Sequence, residues 1–120
     1  MVDPIALTVG VLADALDPVP VSTEVDFNRQ GIERLAVVTL EGMQDDGFLT
    51  TATIGLTIWG RTDRDAFGMT VASADALRDE ALTHPYLSAA QLESMARDEW
   101  TSTGQSRYFA RVQLIINTDE

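Results

Sequence analysis

Residues 48 to 60, FLTTATIGLTIWG, place Ala52, Ile54, Leu56 and Ile58 on one side and Thr51, Thr53, Thr57 and Trp59 on the other. That period of two predicts a half-buried strand. Within three residues the period changes. From Asp63 to about Thr83, Phe67, Val71, Ala74, Leu77, Ala81 and Leu82 fall on one helical stripe, with Arg78, Asp79 and Glu80 opposite. The helix is expected to stop at THP, because the residue before Pro85 is pushed out of the α region. A strand feeding a helix through IWGRTDRDAF, residues 58 to 67, is a tight constraint on the fold. Gly60 frees the turn, and Thr62 or Asp63 caps the helix.

A second alternating run closes the chain. In RYFARVQLIIN, Tyr108, Ala110, Val112, Leu114 and Ile116 face one way and Arg107, Arg111 and Gln113 the other. Near the start, DPIALTVGVLADALDPVPV offers Asp3 as N-cap, Pro4 at the first helical position, and Ile5, Val9, Leu12 and Leu16 at helical spacing. DPVP ends that helix. VSTEV is read as a short strand, DFNRQG as a polar turn, IERLAVVTL as extended, and EGMQDDG as the turn into residue 48. The segment LSAAQLESMARDEW reads both ways. Ser88 and Gln91 make a capping box, and Leu92, Met95 and Ala96 fit a helix, so the local pattern leans helical. TSTGQS is read as a turn before the last strand. The expected fold is a single α+β domain over residues 1–120. It is a two-layer sandwich, with a mixed or antiparallel sheet and two helices packed on one face.

Composition narrows the function. A chain of 120 residues is one ordinary domain, able to bury roughly 65% of the surface it exposes when unfolded. Having no cysteine, it offers no disulfide framework, thiolate metal site or cysteine nucleophile. A net charge of -11, with all eight basic residues arginine, leaves no broad basic stripe for a phosphate backbone or an anionic membrane. Pro4 to Leu16 lacks a basic leader, carries Asp14 and is too short to span a bilayer, so a soluble, unprocessed chain is expected.

No chemistry-bearing motif emerges. His84, the only histidine, ends the long helix, where an imidazole caps carbonyls or meets the negative end of the dipole. Asp45 and Asp46 fit a hairpin turn better than a calcium loop, which needs further oxygen ligands at fixed spacing. Helix initiation explains Asp63 and Asp65 better than an acid and base pair does. None of the serines has a nucleophile elbow, phosphate loop or zinc-binding pair around it. No catalytic, cofactor-binding or metal residue is assigned. An interface reads better. Trp59 stands on the threonine side of its strand, and Phe109 and Ile115 interrupt the polar side of the last one. Such a face, with Arg61 and Arg111 beside it, suits protein contacts, where aromatic and arginine anchors are enriched. Coverage of these side chains by loops of the same subunit explains them equally well.

The ordered set of features resembles the tail terminator proteins of long-tailed bacteriophages, particularly the small forms of phages and prophages of actinobacteria. The resemblance runs over nearly the whole chain. Its carriers are DPIALTVGVLADALD, PVPVSTEVDFNRQGIERLAVVTLEG, ATIGLTIWGRTDRDAFGMTVASADALRDEALTHP, and a tryptophan and short turn before SRYFARVQLII. Ile58, Trp59, Gly60, Asp63, Ala66, Ala76, Leu77 and Leu82 match the family's strand end, acidic helix start and helix. The connector FNRQGIE lacks the proline-rich character often seen there. In that family the region before the last strand is usually extended, which assigns about Gln91 to Thr101 to a hairpin with residues 106 to 117.

The resemblance implies a virion protein of the tail and neck region, assembled in the host cytoplasm. It implies a hexameric homo-oligomeric ring on the last ring of the tail tube protein, which stops polymerisation and offers its other face to head-completion proteins. Genomic DNA passes through the lumen without specific binding, for which an acidic wall is suited; no membrane, cofactor or catalysis is involved. The hairpin tip at Gln44, Asp45 and Asp46 is a candidate reaching loop. Trp59, Arg61, Phe109 and Arg111 are the other candidate ring or tube contacts. Rival readings are another neck component, such as a head-completion or adaptor protein, and a small α+β ligand-binding or regulatory domain with a pocket of convergent polar groups.

Overall fold

The carboxylate of Asp3 accepts the backbone N–H groups of Ile5 and Ala6 at 2.9 and 3.3 Å. Two of the donors that every helix start leaves without partners are thereby satisfied, and α1 (Pro4–Ala15) begins with proline where no N–H is needed. The computed structural model describes residues 2–24, 34–98 and 106–117. After α1 come β1 (Val21–Ser22), β2 (Leu35–Asp45), β3 (Leu49–Gly60), α2 (Asp63–Glu80), β4 (Leu87–Asp98) and β5 (Ser106–Asn117). The expected turn at residues 26 to 31, all of FNRQGIE, and residues 101 to 105 of TSTGQS lie outside the described residues.

The strands form one sheet in the order β1-β2-β3-β5-β4. β1 pairs parallel to β2, through Val21 with Ala36 and Ser22 with Val37. All other neighbours are antiparallel. α2 lies over β3, β5 and β4, while α1 lies over β2 and β1 alongside α2. Both helices cover the same face, because Ala36, Val38, Ala52, Ile54, Leu56, Ile58, Ala110, Val112, Leu114 and Ile116 form one core with Leu12, Leu16, Met69 and Leu77. The fold is therefore the α+β two-layer sandwich that the periodicities imply, with a mixed sheet.

α2 corrects the expected stripe. Its buried residues are Ala66, Met69, Thr70, Ser73 and Leu77. Phe67 is exposed and meets Tyr108 edge-on at 5.8 Å between ring centroids, and Leu82 is 80% exposed. The helix turns its small residues inward, which lets it approach the sheet. The buried hydroxyls of Thr70 and Ser73 donate to the carbonyls of Ala66 and Met69, both at 2.8 Å, so burying them leaves no donor without a partner. Thr8 does the same in α1, donating to the Pro4 carbonyl at 2.7 Å. An apolar stripe cannot reveal a packing face built from hydroxyls. α2 also ends at Glu80, before THP, in turns closed by Leu82 N–H to the Asp79 carbonyl and His84 N–H to the Glu80 carbonyl.

Two strands were obscured by bulges. Residues 87 to 98 form β4, against the helical lean of the local pattern, and the strand starts four residues before the expected Gln91. No capping box forms. Register breaks between Leu87 and Ala89 and between Leu92 and Ser94 add a residue at each place. Core-side residues thus fall at 87, 90, 92 and 95, a spacing that imitates a helix. In β2 a break between Leu40 and Gly42 spaces Leu40 and Met43 by three in the same way. Most of EGMQDDG, expected as a turn, is therefore strand up to Asp45. The turn is only Asp46 to Phe48, where Gly47 has φ +94°, a conformation that disfavours side chains.

Candidate interface surfaces

IWGRTDRDAF is a structural junction. Thr62 is the N-cap, its hydroxyl accepting the Asp65 N–H at 3.0 Å. Asp65 then accepts the Arg61 N–H at 3.0 Å and a two-pronged bond from Arg34, Nε at 3.1 Å and Nη2 at 2.9 Å. One carboxylate thus ties the start of β2 to the β3–α2 turn. Desolvation works to raise its pKa, but the Arg61 N–H and the Arg34 charge outweigh it and hold the pKa below the ordinary aspartate value. Gly60 is required for packing, since a Cβ there would lie 2.5 Å from the Ala66 nitrogen. Asp63 faces Arg97 of β4 at 3.3 Å.

His84 keeps a structural role of another kind than expected. Its Nδ1 accepts the Tyr86 N–H at 3.1 Å, and the helix carbonyl of Glu80 is met by the His84 backbone N–H instead. A groove between α1 and α2 is lined by Leu7, Val11, Asp14, Asp79, Glu80 and His84 among others. Its polar lining is mainly acidic. Among the described residues no group of three or more His, Asp and Glu side chains is arranged to hold a metal ion, and no helix is long and apolar enough to cross a membrane.

The seven candidate contact residues separate into two places. Trp59, Phe109 and Arg111 share the sheet face away from the helices, in consecutive rows where Trp59 pairs with Arg107, Thr57 with Phe109 and Gly55 with Arg111. The Arg107 guanidinium lies 5.6 Å from the Trp59 ring centroid, and that of Arg111 lies 5.6 Å from Phe109. Trp59 and Phe109 are half-buried and Arg111 is exposed. Leu35 and Val37, in the same rows on β2, are buried, so this face is covered at one end. Arg61 is exposed just beyond that end, its backbone engaged by Asp65.

Gln44, Asp45 and Asp46 sit at the far end of the sheet. Gln44 pairs with Thr51, eight residues along β3 from Trp59, or roughly 27 Å at 3.4 Å per residue. Asp46 accepts the N–H groups of Leu49 at 2.8 Å and Phe48 at 3.0 Å, and those two bonds depress its pKa. Asp45 accepts the Gly47 N–H at 2.8 Å. Both acids therefore build the turn. No protein-family model matches the chain, and no curated protein matches it either. What the turn presents is apolar: Phe48 is 80% exposed, with Leu40, Met43 and Leu49 also exposed along the same hairpin.

Sequence reasoning missed these four residues and also Leu92 on β4, which is exposed as well. Glycine and aspartate density in EGMQDDG drew attention to turn chemistry and away from Leu40, Met43 and Phe48. One signal was available. Leu40-Glu41-Gly42-Met43 and Leu92-Glu93-Ser94-Met95 are nearly the same tetrapeptide, each at a bulge.

Proposed function

We propose that the chain is a tail terminator of a long-tailed phage, a virion protein that caps the tail tube as a ring, stops its growth and presents the joining surface for the head. The observation that carries this reading is the β2–β3 arm. β3 stays paired with β5 along its whole length, but the outer half of β2 and the turn after it, residues 39 to 49, are all exposed, and the tip offers Phe48. An arm of this kind has little to contribute to the stability of an isolated subunit and much to a neighbouring protein surface.

Acidity supports the same reading. With a net charge of -11, a ring of such subunits repels the phosphates of DNA crossing its lumen and lacks the basic clusters that give salt-dependent affinity. Tube protein and a head-completion protein are the partners, and the subunit works without catalysis or cofactor.

Negative-stain microscopy of the purified protein with its candidate tube protein tests this. Capped tubes of halted length are expected. Tubes that stay uncapped and grow without length control overturn the reading, and binding to a neck protein without tube capping supports the head-completion or adaptor alternative in its place.

A further inference from the structure

We propose that copies of this chain join head to tail through the two edges of the sheet, β2 of one copy adding antiparallel to β4 of the next. Leu40 and Met43 then meet Met95 and Leu92. The partner at these edges is a second copy of the same chain.

Among the described residues both edges are open over the lengths required: β1 covers only Ala36 and Val37 of β2, and β4 is the outermost strand on the other side. Because β2, β3, β5 and β4 are successively antiparallel, β2 and β4 run in opposite directions. A second copy that continues the sheet therefore brings its β2 antiparallel to β4, with both pairs of helices on one face.

The side chains match in this arrangement. Leu40 pairs within its own chain with Ile54, Met43 with Ala52, Leu92 with Val112 and Met95 with Ala110. Those four partners are all buried in the core under the helices, so the four edge residues stand on the helix-covered side. Leu40 is 45%, Met43 41% and Leu92 39% exposed, and Met95 is half-buried. A bulge on an edge strand ordinarily obstructs a straight incoming strand. Here β2 carries one and β4 two, and a bulge on each edge has two residues between an apolar pair: Glu41-Gly42 on β2 and Glu93-Ser94 on β4. Opposed to each other, the two bulges keep register.

In that register Met43 lies opposite Leu92, Leu40 opposite Met95, Glu41 opposite Ser94 and Gly42 opposite Glu93. Each acid faces a small residue, and no like charges lie directly across from one another. Ser94 pairs inward with Arg111, so the neighbour's Glu41 enters the row of an exposed arginine. Neither edge segment contains proline and the chain has no lysine, two of the devices by which edges are kept from pairing. Such a contact uses different patches on the two partners. It leaves a free edge at each end and generates a ring when the rotation closes.

The closure of the ring rests on the terminator reading, but the edge pairing can be tested apart from it. Since the chain has no cysteine, the double variant Met43→Cys/Leu92→Cys carries one thiol on each edge, both at exposed positions. It is treated with an oxidant or a short bis-maleimide, alone at high concentration and in the presence of tube protein, and run on denaturing gels. A ladder of covalent multimers is expected. Each single variant alone should remain monomeric, and the two single variants mixed should give covalent dimers and nothing longer. Dimers formed by either single variant on its own overturn head-to-tail pairing in favour of a two-fold contact. Absence of cross-linking by the double variant in both settings, with its circular dichroism and Tm equal to the parent's, also overturns it. Capped tubes without the cross-link would remove the edge pairing alone. A ladder beside uncapped tubes upholds the pairing and removes the terminator reading.

Discussion

β2 and β3 are one continuous ladder with two different fates. Toward one end Ala36, Val38, Ile54, Leu56 and Ile58 are at most 1% exposed beneath the helices. Toward the other, Leu40, Met43, Leu49 and Phe48 are between 37% and 80% exposed on an arm with nothing described beside it on the β2 side. The strands pair antiparallel in both halves, with one bulge between Leu40 and Gly42. What differs is coverage, because hydrophobic stabilisation follows the area removed from water and not the apolar character of a residue. The covered half is made by folding, and on the proposed reading the exposed edge and turn are buried only on assembly.

The sharpest test sets a covered residue against an arm residue. Ile54→Ala, at a fully buried position, should destabilise the protein by about 2 to 5 kcal/mol in urea unfolding. A loss below about 1 kcal/mol would break the comparison, since it would mean that the helix layer does not define the core. Gly60→Ala probes the corner from which the covered half is closed. The new Cβ meets the backbone of Ala66, and a loss of roughly 1 to 3 kcal/mol is expected by calorimetry or denaturant titration.

Asp65→Ala should cost about 1 to 2 kcal/mol, because Arg34 and the Arg61 N–H lose a charged acceptor. Its pH dependence has a definite sign. The folded-state pKa is depressed, so the contribution is present above the unfolded value of roughly 3.9 and is lost as pH falls through the lower folded value. The parent should therefore lose stability on acidification below about pH 4 more steeply than the variant. Parallel curves would mean that Asp65 contributes nothing to the acid sensitivity of the fold.

Smaller effects separate the junction from the arm. Thr62→Ala removes the N-cap and should cost about 1 kcal/mol. Asp63→Ala loses only a half-exposed pair with Arg97 and should cost less. Phe48→Ser should leave stability within about 0.5 kcal/mol of the parent while abolishing the tube capping that the proposed function expects. A variant that caps tubes normally would deny the arm its role.

Much of the fold was legible in the sequence wherever regular periodicity and burial coincide. Ala52, Ile54, Leu56 and Ile58, and Ala110, Val112, Leu114 and Ile116, recur at every second position, and every one of these core-side residues is buried. Asp3-Pro4 begins α1 because local hydrogen bonding decides a cap. β4 was not legible from local pattern, since two bulges spread its core-side residues to a nearly helical spacing and only pairing with β5 fixes them as strand. Of the candidate contacts, Trp59, Phe109 and Arg111 do share one face, whereas Gln44, Asp45 and Asp46 occupy a hairpin whose apolar members carry its exposed surface.

By itself the sequence determined the caps, the alternating strands, the acidic balance and the α+β class, each set by interactions between residues a few positions apart. Tertiary structure alone decided which face of α2 packs, that residues 87 to 98 extend, and which strands become edges. Those outcomes depend on pairing partners distant in the chain, and a strand's partner is chosen by the burial that the whole sheet achieves.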